Sequence, residues 1–290
     1  MTLAISPGGN SPRRIALATK YVCDAIGDSH TFNASWLTLH GYHPFLLNTD
    51  LQRLGCSVAI LNSGQSGDST AQVLVRARLL AAVQAGSIGI IYAGTNDWNA
   101  KSTVQPSPAP TTTVFSVAAG KGSYYRANTS ILLNGVTRTV LSVATDAITL
   151  SAALDAPPAA GEVVMPDTAT NLIATATVMS GLGYTRQVVG RQHYLNFASG
   201  GDTLSAQQSI ASDVRAAQDV AIAGIAGCIT ADYYTHMRNL IVAGTYTQGD
   251  DAAWHVAVGD SHLNANGQSL LRDCELAAII NAGWVPALRV

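Results

Sequence analysis

The stretch AIGDSHTFNAS, residues 25–35, ends an apolar run, turns at Gly27, and sets an acid, a hydroxyl and an imidazole side by side at Asp28, Ser29 and His30. Two readings compete for it. Ser and Asp are favoured as helix caps, and a serine exposed at the tip of a buried strand is also where a nucleophile is made accessible. The surrounding sequence has to choose.

Outward from this point, YVCDAIG, CSVAILN and IGIIYAG (21–27, 56–62 and 88–94) read as strands buried on both faces. The intervening stretches 34–54 and 70–85 carry apolar residues at helical spacing. Strands alternating with helices predict parallel pairing through right-handed crossovers, with ligands bound outside the carboxyl ends of the strands. At residue 105 the pattern changes. QPSPAPTTT is a proline-rich break, followed by a Val-, Thr- and Ser-rich segment in which Asn134-Gly135 separates two strand-like runs, a two-residue hairpin signal. Thr145-Asp146 reads as a second turn, and Pro157, Pro158 and Pro166 close the segment. Helical patterns at 168–182, 204–222 and 264–281 and a strand at 185–190 then resume the alternation of helix and strand. The expected organisation is one α/β unit in two parts, 1–104 and 167–290, interrupted by a β-rich module at 105–166.

Composition bounds the function. With 48% hydrophobic and 12% charged residues and a formal net charge of -2, the chain has a large core and no basic field for nucleic acid. No apolar run is long enough to span a bilayer and no conventional signal peptide is visible, so no membrane partner is expected; the localisation stays unknown, with virion-associated and cytoplasmic both open. Cys23, Cys56, Cys228 and Cys274 have no metal-ligand spacing and read as buried, reduced thiols.

Four short segments carry chemistry: GDSHT with Ser29, NSGQSGDST with Gly64 and Gly67, GTNDW with Asn96, and GDSHLNANG with Asp260 and His262. Their order, three of them after predicted strands and the last before a terminal helix, resembles the SGNH, or GDSL-type, hydrolase family, over both α/β parts but not the β-rich module. The resemblance implies a flavodoxin-like, three-layer α/β fold with a central parallel sheet. It also implies a catalytic set of Ser29 as nucleophile, His262 as base and Asp260 orienting it. The oxyanion hole would combine the Ser29 and Gly67 amides with the Asn96 carboxamide, with no metal or cofactor. His30 and Trp98 are candidate substrate contacts, with a catalytic role for His30 as open as a surface or substrate-rim one and Trp98 equally a packing residue. His193, His236 and His255 show no pattern and read as structural.

One departure stands out. Similar enzymes space the acid and histidine as DxxH, whereas this chain has DSH with Gly259 at the usual acid position. A shortened loop that still pairs Asp260 with His262, a backbone carbonyl in place of the acid, and Asp250 or Asp251 are the three solutions left open. The implied activity is a serine esterase on small acyl esters, with O-acetyl groups on carbohydrate as expected substrate. A lipase- or thioesterase-like hydrolase and a catalytically weak glycan-binding or particle protein are the rivals. The β-rich segment also looks like modules of bacteriophage tail proteins, and it is a candidate surface for homo-oligomer contacts.

Overall fold

The computed structural model describes residues 20–32, 42–194, 206–256 and 262–289. In chain order the first part runs β1 (Tyr21–Gly27), α1 (His43–Arg53), β2 (Val58–Asn62), α2 (Thr70–Ala77), β3 (Ile88–Tyr92) and α3 (Thr95–Ala100). Six strands follow: β4 (Ser102–Thr103), β5 (Val114–Ser116), β6 (Ser130–Leu133), β7 (Val136–Ala144), β8 (Ala147–Leu150) and β9 (Val163–Pro166). The chain closes with α4 (Thr168–Gly181), β10 (Arg186–Arg191), α5 (Ala206–Gly224), β11 (Ile229–Asp232), α6 (Tyr233–Val242), α7 (Ala265–Asn281) and α8 (Val285–Leu288).

Strands β1, β2, β3, β10 and β11 form one parallel sheet in the order β11-β10-β3-β1-β2. Counted along the sheet strands alone this is the flavodoxin-like 2-1-3-4-5 order, in which the crossovers diverge between the first and third strands. Alternation along each strand feeds two cores. Cys23, Ala25, Ile88, Ile90 and Val188 pack with Leu47 and Leu51 of α1 and with Leu271 and Ile279 of α7. Ile26 and Ile91 face Val73 of α2, Leu172 and Met179 of α4 and Ala221 of α5. The result is the three-layer α/β arrangement. The inward crowding is greatest at β3, buried along its whole length.

The expectation of strands buried on both faces fails for β2. It is the edge strand, and Leu61 is 47% exposed. The helix expected to run to residue 85 ends at Ala77, because the chain is drawn onto the end of α4 by Val83 N–H donating to Leu182 O at 2.7 Å. The 34–54 pattern becomes α1 from His43, with 33–41 outside the described residues, and the short β11, α6 and α8 gave no clear sequence signal. All four cysteines are free; Cys23 and Cys56 are buried, whereas Cys228 and Cys274 are only half-buried.

The β-rich strands form a second, wholly antiparallel sheet in the order β4-β9-β6-β7-β8-β5. Asn134 and Gly135 take φ of 49° and 79°, the left-handed pair that a two-residue hairpin turn requires. Its own core contains Phe115, Ile131, Val140, Ile148 and Val164. Tyr125 is buried there, its hydroxyl donating to Ala100 O and Val164 O. Polar bolts tie this sheet to the helices. Asn171 of α4 bonds both the N–H and the C=O of Ser130, each at 2.9 Å, and Arg78 donates to Asn128 O at 2.8 Å.

Buried polar groups in the first sheet carry a pH signature. Asp24, in mid-β1, accepts from Ser63 Oγ at 3.1 Å and Tyr184 OH at 3.4 Å. Burial pushes its carboxyl up to about 6, and those hydrogen bonds offset burial only in part. The folded-state value thus exceeds the unfolded one, so Asp24 favours folding most below about pH 4, and that contribution falls as pH rises towards 6. Asp24→Asn is expected to gain on the order of 3 kcal/mol over the wild type at pH 8 and to lose this advantage at pH 4. Denaturant unfolding at both pH values tests this, and an advantage independent of pH would refute it.

Candidate active site

The turn after β1 is built by Asp28. Its carbonyl accepts from Thr31 N–H at 3.1 Å and Phe32 N–H at 2.9 Å, and its carboxylate accepts from His30 N–H at 3.0 Å. A short acidic side chain folding back on the next amides is the usual device for such a turn. Burial pushes the Asp28 carboxyl up to about 7, and the bond from the His30 amide opposes that rise. The turn also depends on Gly27. A Cβ there would stand 2.1 Å from Tyr92 O, the last carbonyl of β3, so no side chain fits.

Ser29, presented by this turn, is 7% exposed, and its Oγ lies 2.9 Å from His262 Nε2 across 233 residues of chain. His262 is held from both sides. Its carbonyl accepts from Val256 N–H, His255 pairs with Leu263 in an antiparallel bridge, and Asn264 caps α7 through the amides of Asn266 and Gly267. Asp260 lies outside the described residues; Asp250 is exposed, and Asp251 begins a 3-10 turn at Asp251–Ala253.

The NSGQSGDST loop follows β2. Gly64 packs against the Ser29 turn so closely that a Cβ would lie 2.6 Å from Phe32 N. Gly67 differs: its φ is +82° and no atom stands within 4 Å of a Cβ position, so its backbone is uncovered on that side. Arg76 fastens this loop, donating to Gly27 O and Ser63 O and pairing with the Asp68 carboxylate. Asn96 sits on α3 after β3, and its Nδ2 donates to Asp68 O at 3.1 Å, one residue beyond Gly67. Its neighbour Asp97 is buried and accepts from Thr70 N–H, Thr70 Oγ and Thr168 Oγ at 2.7, 2.5 and 2.6 Å. This clasp joins the starts of α2 and α4 to α3, and burial pushes its carboxyl up to about 6 against those three bonds.

Other expectations are corrected. His30 occupies no surface or rim position: it is 2% exposed, its ring 4.8 Å from that of His193, 5.5 Å from that of His262 and 5.6 Å from that of Tyr92. Burial first, then the neighbouring His262, His255 and His43, hold its pKa well below the usual imidazole value, so it stays neutral. His193 belongs to the same cluster. The hydroxyl of Tyr92, kept protonated by burial, is hydrogen-bonded to His193 Nδ1 at 2.5 Å, and the His255 ring lies tilted 5.9 Å beyond. No sequence signal pointed to His193 or His255, because they follow different elements and converge only in space. No three His, Cys, Asp or Glu side chains among the described residues converge as metal ligands. Trp98 is half-buried, with the Lys101 ammonium 5.2 Å from its ring centre.

No protein-family model and no curated protein sequence matches the chain. Solved structures do. A member of the lipolytic protein G-D-S-L family from Veillonella parvula DSM 2008 superposes with a TM-score of 0.51 at 12% identity, over 90% of this chain and 98% of that one. The chain has the SGNH-hydrolase fold. Axe2, an acetylxylan esterase from Geobacillus stearothermophilus, matches with a TM-score of 0.49 at 14% identity over 91% and 96% of the two chains. The lipase/acylhydrolase from Enterococcus faecalis matches at 0.46 and 15% over 90% and 96%.

In this SGNH-hydrolase fold the β1 and β3 ends carry Ser29 and Asn96, at the divergence point of the sheet. Gly27 sets how closely those ends approach. Gly27→Ala forces the Tyr92 carbonyl aside and is expected to cost about 3 kcal/mol or more. Gly67→Ala meets no atom and costs only the left-handed strain, about 1–2 kcal/mol. Denaturant titration of both variants checks the order, and a milder effect at Gly27 would contradict it.

Proposed function

We propose that the protein is a serine ester hydrolase working through an acyl-enzyme, with a short acyl group, O-acetyl on a carbohydrate, as its substrate. The 2.9 Å contact between Ser29 Oγ and His262 Nε2 carries this reading. It joins a hydroxyl and a base from opposite ends of the chain at the rim where the fold binds ligands. Low exposure of Ser29 favours a short acyl chain, and the carbohydrate alcohol follows from the sequence resemblance.

In the proposed reaction His262 Nε2 takes the Ser29 hydroxyl proton as Oγ bonds to the ester carbonyl carbon. The carbonyl electron pair moves to oxygen, and that oxyanion is met by the Ser29 and Gly67 amides and the Asn96 carboxamide. Collapse expels the alcohol, protonated by His262. Water, deprotonated by the same imidazole, then releases the acid and restores Ser29. Asp260 orients His262 and stabilises its cationic form. Among the described residues no helix is long and apolar enough to cross a membrane.

Release of p-nitrophenol from acetate, butyrate and longer esters, and of acetate from acetylated sugars, tests this. Activity is expected to fall with chain length and to vanish in Ser29→Ala. Asn96→Ala is expected to lose about 10²–10³ in turnover, the loss typical of one oxyanion donor. Glycan binding without turnover would instead establish the non-catalytic alternative.

A further inference from the structure

The β-rich segment reaches the Asn96 carboxamide through two contacts that the proposed chemistry does not itself require. Asn96 lies on α3, a helix of six residues; so short a helix has little stability of its own. Its carboxamide has two possible orientations, and only the surrounding hydrogen bonds distinguish them. Nδ2 donates to Asp68 O, while Oδ1 accepts from Asn99 Nδ2 at 3.1 Å, one helical turn on. A flip would set oxygen against the Asp68 carbonyl and nitrogen against the Asn99 amide. The remaining Nδ2–H is thereby given one direction.

Both of these partners are held by one turn of the β-rich segment. In the 3-10 turn Lys121–Tyr124, the Lys121 ammonium donates to Asn99 O at the open end of α3. Tyr124 O accepts from Ser69 Oγ at 2.6 Å, and Ser69 is the cap of α2 and the neighbour of Asp68. Asp146 fixes the turn from within the segment, accepting from Gly120 and Gly122 N–H at 3.1 and 2.8 Å.

We propose that the Lys121–Tyr124 turn is a positioning device for Asn96, acting through Asn99 on its oxygen side and through Ser69–Asp68 on its nitrogen side. Asn99 and Lys121 are positioning residues rather than groups that touch substrate. The inference rests on the esterase reading for its kinetic consequence, but the geometry of the amide can be read without turnover.

The test uses the full chain with p-nitrophenyl acetate. Asn99→Ala and Lys121→Met are expected to lower kcat about tenfold, below the loss for removing the donor itself, with KM within about twofold and Lys121→Arg restoring most of the rate. In an Asn96→Ala background, Asn99→Ala is expected to change kcat less than twofold, because its effect passes through the missing amide. Equal losses in both backgrounds, or a change confined to KM, overturn the proposal. The Asn96 side-chain ¹⁵N–¹H pair, assigned by its loss in Asn96→Ala, is expected to shift or broaden in Asn99→Ala and Lys121→Met; unchanged signals overturn it. A wild type with no turnover, or Ser29→Ala at the wild-type rate, overturns the esterase reading instead, and the amide signals then decide the positioning role alone.

Discussion

The end of β1 is pressed against the end of β3 so tightly that only a glycine fits between the Gly27 backbone and the Tyr92 carbonyl. Crossovers leave these two strands in opposite directions, which opens a cleft above their carboxyl ends. The close approach sets the spacing of what stands on either side of that cleft, the Ser29 turn and the Asn96 helix. The NSGQSGDST loop is drawn against the same point, its Gln65 amide donating to Gly27 O, to which Arg76 of α2 also donates. Three segments thus take their position from one carbonyl and one missing side chain.

Around this point the fold buries acids to organise backbone. Asp28 and Asp97 spend their oxygens on amides and hydroxyls of neighbouring segments. Burial raises both, to about 7 in the Ser29 turn and to about 6 in the clasp that joins α2, α3 and α4. Behind His262 lies a different layer, in which neutral His30 packs ring to ring with His193 and with protonated Tyr92. The uncharged His30 imidazole lies 5.5 Å from the His262 ring.

The second sheet joins this arrangement rather than standing apart from it. Its chain leaves from α3 and returns at α4, the two helices that Asp97 clasps together. Asn171 and Arg78 bolt its strands to α4 and to the end of α2, and its 3-10 turn reaches the end of α3. A β-rich segment placed between two such anchors has its orientation fixed by them.

Much of the fold was legible because periodicity is a local property. β1, β3 and β10, the α4 and α7 helices, and the Asn134-Gly135 turn each follow from spacing or from a dipeptide whose backbone preference is intrinsic. The motifs likewise placed Ser29, Gly67 and Asn96 after β1, β2 and β3, and His262 ahead of α7. Edge position escaped that reading, since Leu61 is apolar whether or not another strand covers it, and so did the early end of α2, which is set by a bond to α4. The sequence by itself determined the element types and the residue types at the rim, through local preference and chemistry. Only tertiary structure decided that Ser29 meets His262, that His30 is buried among His193 and Tyr92, and that Lys121 reaches Asn99. Each of these joins residues distant in the chain or facing one another across a cleft, and distance in space is not encoded in any one segment.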